Sequence, residues 1–375
     1  MTTTLNRPAV SRPAASKPKP TFRQRLNVFD MKASPYLYIA PFFILFALVG
    51  LFPLGYTFFV SLFDWHLLKG QGEFVGFQNF AEVLQDRFFW NSLFNTVSIF
   101  LISTIPQLIM ATIIAAVLDQ NLRAKTFWRM SILLPYVVTP VAVAMIFTNM
   151  FGEQYGLINN ILSSFGIDPI MWKNDTLPSH IAIATMVNWR WTGYNALILL
   201  AAMQSVPRDI YESAAIDGAG SFRRFFSITL PSIRPTMVFV IVTATIGGLQ
   251  IFTEPRLFDP VAAGGTARQF QTTVLYLWEM AFQRQNFGKA STIAWLLFLI
   301  ILLFGIVNWL ISRRIATNGD DRGAASRRRR KRSSAPDANA YDAGLPAQAV
   351  TAPAASAPAA SAPETAPEQT PRSGK

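Results

Sequence analysis

The residues of this 375-residue chain best suited to chemistry are amides, aromatics and two charged groups set in apolar stretches, rather than acids and bases in catalytic spacing. The segment MVNWRWTGYNALILL places Asn188, Trp191 and Asn195 at i, i+3 and i+7, one face of a helix, with Tyr194 at its edge. Sugars are held by hydrogen bonds to hydroxyls together with aromatic rings on their C–H faces, and this stripe supplies both. Trp189 and Trp191 are equally well read as anchors at a membrane interface. Arg190 is costly inside an apolar span, so three fates are open: facing a cavity, pairing with a carboxylate such as Glu254, or snorkelling to headgroups. A second segment, Gly247-Gly248-Leu249-Gln250-Ile251-Phe252-Thr253-Glu254-Pro255, sets Gln250 and Glu254 four apart, on one helical face, with Phe252 across. Its diglycine permits close approach of a ligand or, just as readily, of a neighbouring helix. Gln107 and Asn149 are further amides within apolar runs.

Common catalytic signatures are missing. No G-x-x-x-x-G-K-[ST] loop occurs; Gly288-Lys289-Ala290 lacks both the upstream glycine and the following hydroxyl. Any ATP, with its Mg, is therefore expected on a partner, and no cofactor is expected on this chain. Neither H-E-x-x-H nor G-x-S-x-G is present. With no cysteine, disulfides and thiolate metal sites are excluded, and His66 and His180 alone leave little for imidazole chemistry. No catalytic residue and no metal ligand is assigned. An integral-membrane enzyme would need convergent carboxylates or histidines at a membrane face, which the sequence lacks.

The elements that must position these groups are membrane spans. The chain is 51% hydrophobic and 14% charged, and its apolar residues come in runs. Six spans are read, at about Tyr36–Phe63, Leu93–Leu118, Met130–Phe151, Ile181–Met203, Met237–Phe252 and Thr292–Ile311. Basic residues crowd the N-terminal segment (Arg7, Arg12, Lys17, Lys19, Arg23, Arg25, Lys32) and the loops after the second and fourth spans, placing both termini in the cytoplasm. The loop from Glu254 to Lys289 fits less well, since it carries Arg256, Arg268, Arg284 and Lys289 on the outside. The fold class is all-α integral membrane, six transmembrane helices with a cytoplasmic helix-turn-helix loop.

That loop, residues 205–235, contains Pro207 to Pro231, PRDIYESAAIDGAGSFRRFFSITLP. Pro207 suits a helix start, Asp217-Gly218 a helix stop, and Ser221 can cap a second helix with Phe222, Phe225 and Phe226 on one face. Leu230-Pro231 is read as its end. Glu212, Ala214, Ala215, Asp217, Gly218, Ala219 and the later Leu230-Pro231 resemble the E-A-A-x-x-D-G-A…L-P loop of ABC importer permeases, with Ser213 departing from the usual first alanine. The stretch from Trp189 to Ala219 and the run FGKASTIAWLLF (Phe287 to Phe298) are similar to the maltose-type, oligosaccharide branch, the likeness covering about Tyr36 to Arg314.

The resemblance implies that the loop is a coupling helix docking into a separate ATPase, with Glu212 making a charged contact. It also implies a second homologous permease subunit, an ATPase dimer, an extracytoplasmic sugar-binding protein, alternating access, and a bacterial-type cytoplasmic membrane. The alternative is a secondary sugar carrier that works without ATP.

The remaining segments, 1–34 and 315–375, are read as disordered, flanking a permease domain at 35–314. The first lacks a signal-peptide core and is expected to be retained. The second carries Arg327 to Arg332 and then Ala/Pro/Ser repeats. Despite a net charge of +12, membrane lipids rather than nucleic acid are the expected partner of that basic run.

Overall fold

The computed structural model describes residues 22–261 and 264–333. It divides into two units, 1–315 and 316–375, and all sites described below lie in the first. Helix α1 (Phe22–Phe46) widens into a π-helical turn at Ala47–Leu51 and continues as α2 (Phe52–Ser61). Pro53 explains the widening: it offers no N–H to the carbonyl of Val49, and its ring crowds that turn. Within this run Ser34–Ser61 is apolar enough to cross a membrane, and its most apolar window is wholly unburied by the rest of the chain.

A short antiparallel hairpin follows, β1 (Phe63–His66) and β2 (Gly70–Phe74), with Phe63 opposite Phe74. This departs from a purely helical reading. Aromatic residues favour the extended ladder, and Gly70, at φ +79°, supplies the turn. Then come α3 (Gln78–Gln85) and α4 (Arg87–Asp119). Asp86 caps α4, its carboxylate accepting from the Phe88 N–H at 2.8 Å.

The third apolar run is not one straight span. It forms α5 (Lys125–Val137) and α6 (Pro140–Met150), bent by 88°. Pro140 forces Thr139 into an extended conformation, and the Thr139 hydroxyl caps α6. Helix α7 (Leu157–Ser164) precedes α8 (Thr176–Gln204), then α9 (Arg208–Ile216), α10 (Ser221–Arg224), a π-helical turn at Phe225–Thr229, and α11 (Leu230–Ser232). A 69° bend leads into α12 (Arg234–Leu249). Leu230-Pro231 therefore does not end the second helix of the loop. The break comes at Ile233, because Pro235 cannot bond to the carbonyl of Pro231. The chain closes with α13 (Thr253–Phe258), α14 (Thr273–Trp278), a π-helical turn at Glu279–Gln283, and α15 (Phe287–Ser333).

Among the described residues, three helical stretches are long and apolar enough to cross a membrane, and the two bent pairs raise this to five. Helix α8 has the length, 29 residues or about 44 Å, but its arginine, histidine and amides leave it outside that apolar set. The fifth span ends at Leu249 rather than Phe252, since Gln250 already leaves the helix. Helix also covers residues 22–34 and 315–333, where disorder was expected; no proline interrupts α15 after its apolar run until Pro336. The expectations for 1–21 and 334–375 lie outside the described residues.

Helices α4 and α8 form the centre. One apolar cluster joins Ile99, Ile183 and Met186 to Phe147, Phe258 and Phe270. The other joins Ala111, Ala115 and Ala196 to Leu199, Met203, Ile233 and Val240. The alanines allow close helix approach.

Beyond the N-terminal end of α8 the chain pairs three of the four cations that weakened the charge pattern, Arg268 and Arg284 outside the candidate spans and Lys289 in the first turn of the Phe287–Leu310 one. Arg268 grips Glu279 through two contacts of 2.8 Å, Arg284 adds one at 2.9 Å, and Lys289 meets Glu82 at 2.7 Å. Burial alone would raise the Glu279 carboxyl pKa, but hydrogen bonds from Arg268, Gln271 and Arg284 hold it below the ordinary value. Such a group adds stability above the unfolded-state pKa and loses it as pH falls through the folded one. Arg268→Gln should therefore lower the melting temperature at pH 7, and thermal unfolding scans taken towards pH 3 should show the deficit shrinking. A deficit independent of pH would mean that Arg268 acts through packing alone.

Candidate functional site

A cavity of about 400 Å3 opens between α4, α8, α12 and the irregular stretch that follows α12. From α8 it receives Arg190, Trp191, Tyr194 and Asn195, and from beyond α12 it receives Gln250, Phe252 and Glu254. Seven of the eight residues expected along a substrate path thus converge. Asn188 does not line it. The lining face of α8 runs along Val187, Trp191, Tyr194 and Ile198, and Asn188 lies about 90° round the helix from its centre. Gln250 and Glu254 do not share a helix face either, because α12 ends before Gln250 and Glu254 belongs to α13; the turn between the two helices brings both to the same space.

Helix α4 contributes Ser103, Thr104 and Gln107. Of these only Gln107 was singled out from sequence, although three polar side chains in one turn of an apolar helix were a usable signal. Asn149 is elsewhere, donating to the Met145 carbonyl at 2.8 Å.

An aromatic wall stands on one side. The ring of Tyr136, from α5, stacks on Tyr194 at 4.7 Å and meets Trp191 edge-on at 5.2 Å. Sequence alone did not reveal Tyr136, because its place depends on how α5 crosses α8. That crossing is fixed at Gly193, where an added Cβ would lie 1.8 Å from the Ile132 carbonyl oxygen. Trp189 faces another way and packs on Phe147 at 5.7 Å.

Arg190 pairs with Glu254 across 3.5 Å, and its guanidinium lies 5.6 Å from the Trp191 ring centre. Both partners are largely buried. Of the three fates open to this cation, cavity lining and carboxylate pairing are realised together. The diglycine divides its roles as well: Gly248 lets α12 approach Phe100 of α4, whose ring an added Cβ would meet at 2.6 Å, whereas Gly247 has open space beside it.

The 205–235 loop lies at the other end of α8. Gly218 adopts φ +78°, its N–H donates to the Ala215 carbonyl at 3.0 Å, and the Ala219 N–H donates to that of Ala214 at 2.9 Å. This bond pair is a Schellman stop, which requires a left-handed residue at Gly218. Asp217 is the last residue before the turn. Gly220, not Ser221, occupies the cap of α10; the Ser221 hydroxyl instead accepts from Arg224 at 3.4 Å. Tyr211 bonds Thr229 at 2.9 Å and packs with Phe225 against the Leu199–Ile233 cluster. Phe225 thus turns inward while Phe222 stays exposed, with Ile210 and Ile216 beside it in sequence on α9. Glu212 and Ala215 line a second cavity of about 330 Å3, shared with Asp119, Gln204, Arg208 and Arg224.

A family model described as the binding-protein-dependent transport system inner membrane component matches residues 107–317. The lactose transport system permease protein of Rhizobium radiobacter is 34% identical over 285 residues, covering 74% of this chain and 93% of that protein. The trehalose/maltose transport system permease protein of Thermococcus litoralis is 32% identical over 278 residues, covering 74% and 93%. In fold, the chain is similar to one in the crystal structure of a bacterial alginate ABC transporter in complex with an alginate pentasaccharide-bound periplasmic protein. That match has a TM-score of 0.65 at 21% identity and covers 77% of this chain and 97% of the other.

The geometry at Gly193 makes a direct demand on packing. Gly193→Leu should separate α5 from α8, lower the melting temperature of detergent-purified protein, and cost about 1–3 kcal/mol or more. A variant as stable as the parent would show that α5 does not rest on α8 there.

Proposed function

The chain belongs to the binding-protein-dependent transport system inner membrane components, and from that membership we propose a reading of its two cavities. The protein is the permease subunit of a sugar ABC importer. The 400 Å3 cavity is its sugar path, and the observation that carries this is the convergence of an aromatic wall with amides and hydroxyls near the middle of α4. Its volume falls within the roughly 300–1,000 Å3 of small-molecule sites. Aromatic faces and amides are the groups that hold a di- or oligosaccharide, and the relatives are named for lactose and for trehalose/maltose.

The loop at 205–235 is the coupling element. Its unburied Ile210, Ile216 and Phe222 offer an apolar surface to a separate ATPase dimer, which holds the ATP and Mg that a chain without a phosphate loop cannot. Glu212, beside the second cavity, supplies a charged contact to that partner. Closure of the ATPase pair moves α9 and α10, and Tyr211 and Phe225 pass the motion to α8 and α12 through their shared cluster. The sugar path then faces outward to receive ligand from an extracytoplasmic binding protein. The Ser34–Ser61 run, whose most apolar window the rest of the chain leaves unburied, faces lipid and a second, homologous permease. Both termini are cytoplasmic, and the Arg327–Arg332 run meets anionic lipid headgroups rather than nucleic acid.

Two outcomes test this in proteoliposomes holding the assembled transporter. Trp191→Ala should reduce sugar uptake at least tenfold while the complex still assembles. Gly218→Val, forced into a conformation that β-branched residues avoid, should insert normally yet uncouple, with uptake down tenfold and ATP hydrolysis no longer stimulated by the loaded binding protein. Normal uptake by Gly218→Val, or uptake by any form without ATP, would favour a secondary carrier.

A further inference from the structure

One feature of the cavity narrows what it can hold. Among the described residues that line it, Arg190 and Glu254 are the only charged side chains. Their charges cancel, and Glu254 is only 8% exposed. The contact between them is a single one, from one guanidinium nitrogen to one carboxylate oxygen at 3.5 Å. The Arg190 Nε is buried and has no hydrogen-bond partner. A tightly closed salt bridge would use the fork of the guanidinium against both carboxylate oxygens, as Arg268 does with Glu279. The cavity pair leaves donors and acceptor capacity unspent, beside the Trp191 ring.

We propose that Arg190 and Glu254 act as one specificity-determining unit that selects uncharged sugars and rejects acidic ones. This rests on the reading of the cavity as a sugar path. A hydroxyl both donates and accepts, so neighbouring hydroxyls of a neutral ring can donate to Glu254 and accept from Arg190 while the two charges stay paired. A sugar carboxylate can only accept. Whether it shares Arg190 with Glu254 or takes it, it sets a second anion beside a buried carboxylate with one guanidinium between them, leaving an uncompensated negative charge in a poorly solvated site. The neutral pair therefore tolerates polyols and penalises anions. Removing the acid alone reverses that balance, because the freed guanidinium is then available to a carboxylate.

The test uses the purified assembled transporter in nanodiscs without its binding protein, so that no upstream component filters the ligand. Equilibrium dialysis compares matched p-nitrophenyl glycosides and glycuronides, gluco and galacto, α and β, which differ within each pair only at C6. The parent should favour the neutral member of its best pair at least tenfold. Glu254→Gln should cut that preference at least tenfold, chiefly by binding the acidic member more tightly, a gain that misfolding cannot produce. Arg190→Gln should lose affinity for the neutral member without gaining the acidic one. A preference in Glu254→Gln within twofold of the parent overturns the inference, and leaves the sugar path standing if Trp191→Ala weakens the neutral ligand. If Trp191→Ala binds as the parent does, or if no glycoside of the panel binds, the sugar path itself is wrong and the inference falls with it.

Discussion

In an apolar bundle every polar group that turns inward must find its partner within the protein, and the close seating of α8 among its neighbours is what makes this possible here. Gly193 brings the α5 backbone to Ile132 against α8, and Ala196 meets Ala111 and Ala115 in one cluster with α4. With the helices this near, Arg190 can reach Glu254 and Tyr136 can lie on Tyr194. Larger residues at these contacts would hold the helices apart, and the same groups would face hydrocarbon, where an unpaired charge costs several kcal/mol. The cavity is thus a consequence of small residues at helix crossings as much as of the polar residues that line it.

The same helix links the two ends of the permease. Its first turns share a core with Phe258 and Phe270, its middle lines the cavity, and its last turns share a core with Tyr211, Phe225 and Ile233 of the loop region. Bends are placed where proline removes a backbone donor, before Pro140 and before Pro235, so the spans flanking the cavity are jointed rather than straight. A rigid central helix with jointed neighbours is a suitable geometry for turning a push at the loop into a change of access, because joints move while packed segments keep their register.

Much of this was legible from the residues. The Asp217-Gly218 stop follows from local chemistry, since only a residue at ease with positive φ closes a Schellman turn. The cavity face of α8 followed from helical spacing. Asn188 was misplaced because a spacing of i, i+3, i+7 marks a broad face without fixing its centre, and only the neighbours decide that. The 88° bend was under-read for a related reason: Pro135 and Pro140 are both tolerated in membrane helices, and nothing local says which one breaks the run. Tyr136 depends on a helix crossing and is invisible to any single segment, whereas Ser103 and Thr104 stand beside Gln107 in one apolar helix and were open to reading. The pairing of Arg268 and Arg284 with Glu279 lies equally beyond a charge count, which registers cations but not their partners.

On the proposed reading, the cavity is a path whose access alternates under the control of a separate ATPase. The chain contains no cysteine, so one introduced thiol is the only site on this chain that a maleimide can label. Thr243 is exposed and lines the cavity. Labelling of Thr243→Cys by a membrane-impermeant maleimide, in oriented vesicles bearing the whole transporter, should come from the cytoplasmic side at rest. With ATP and loaded binding protein it should switch to the outer side, and transported sugar should slow it. Labelling that ignores nucleotide and sugar alike would contradict the account.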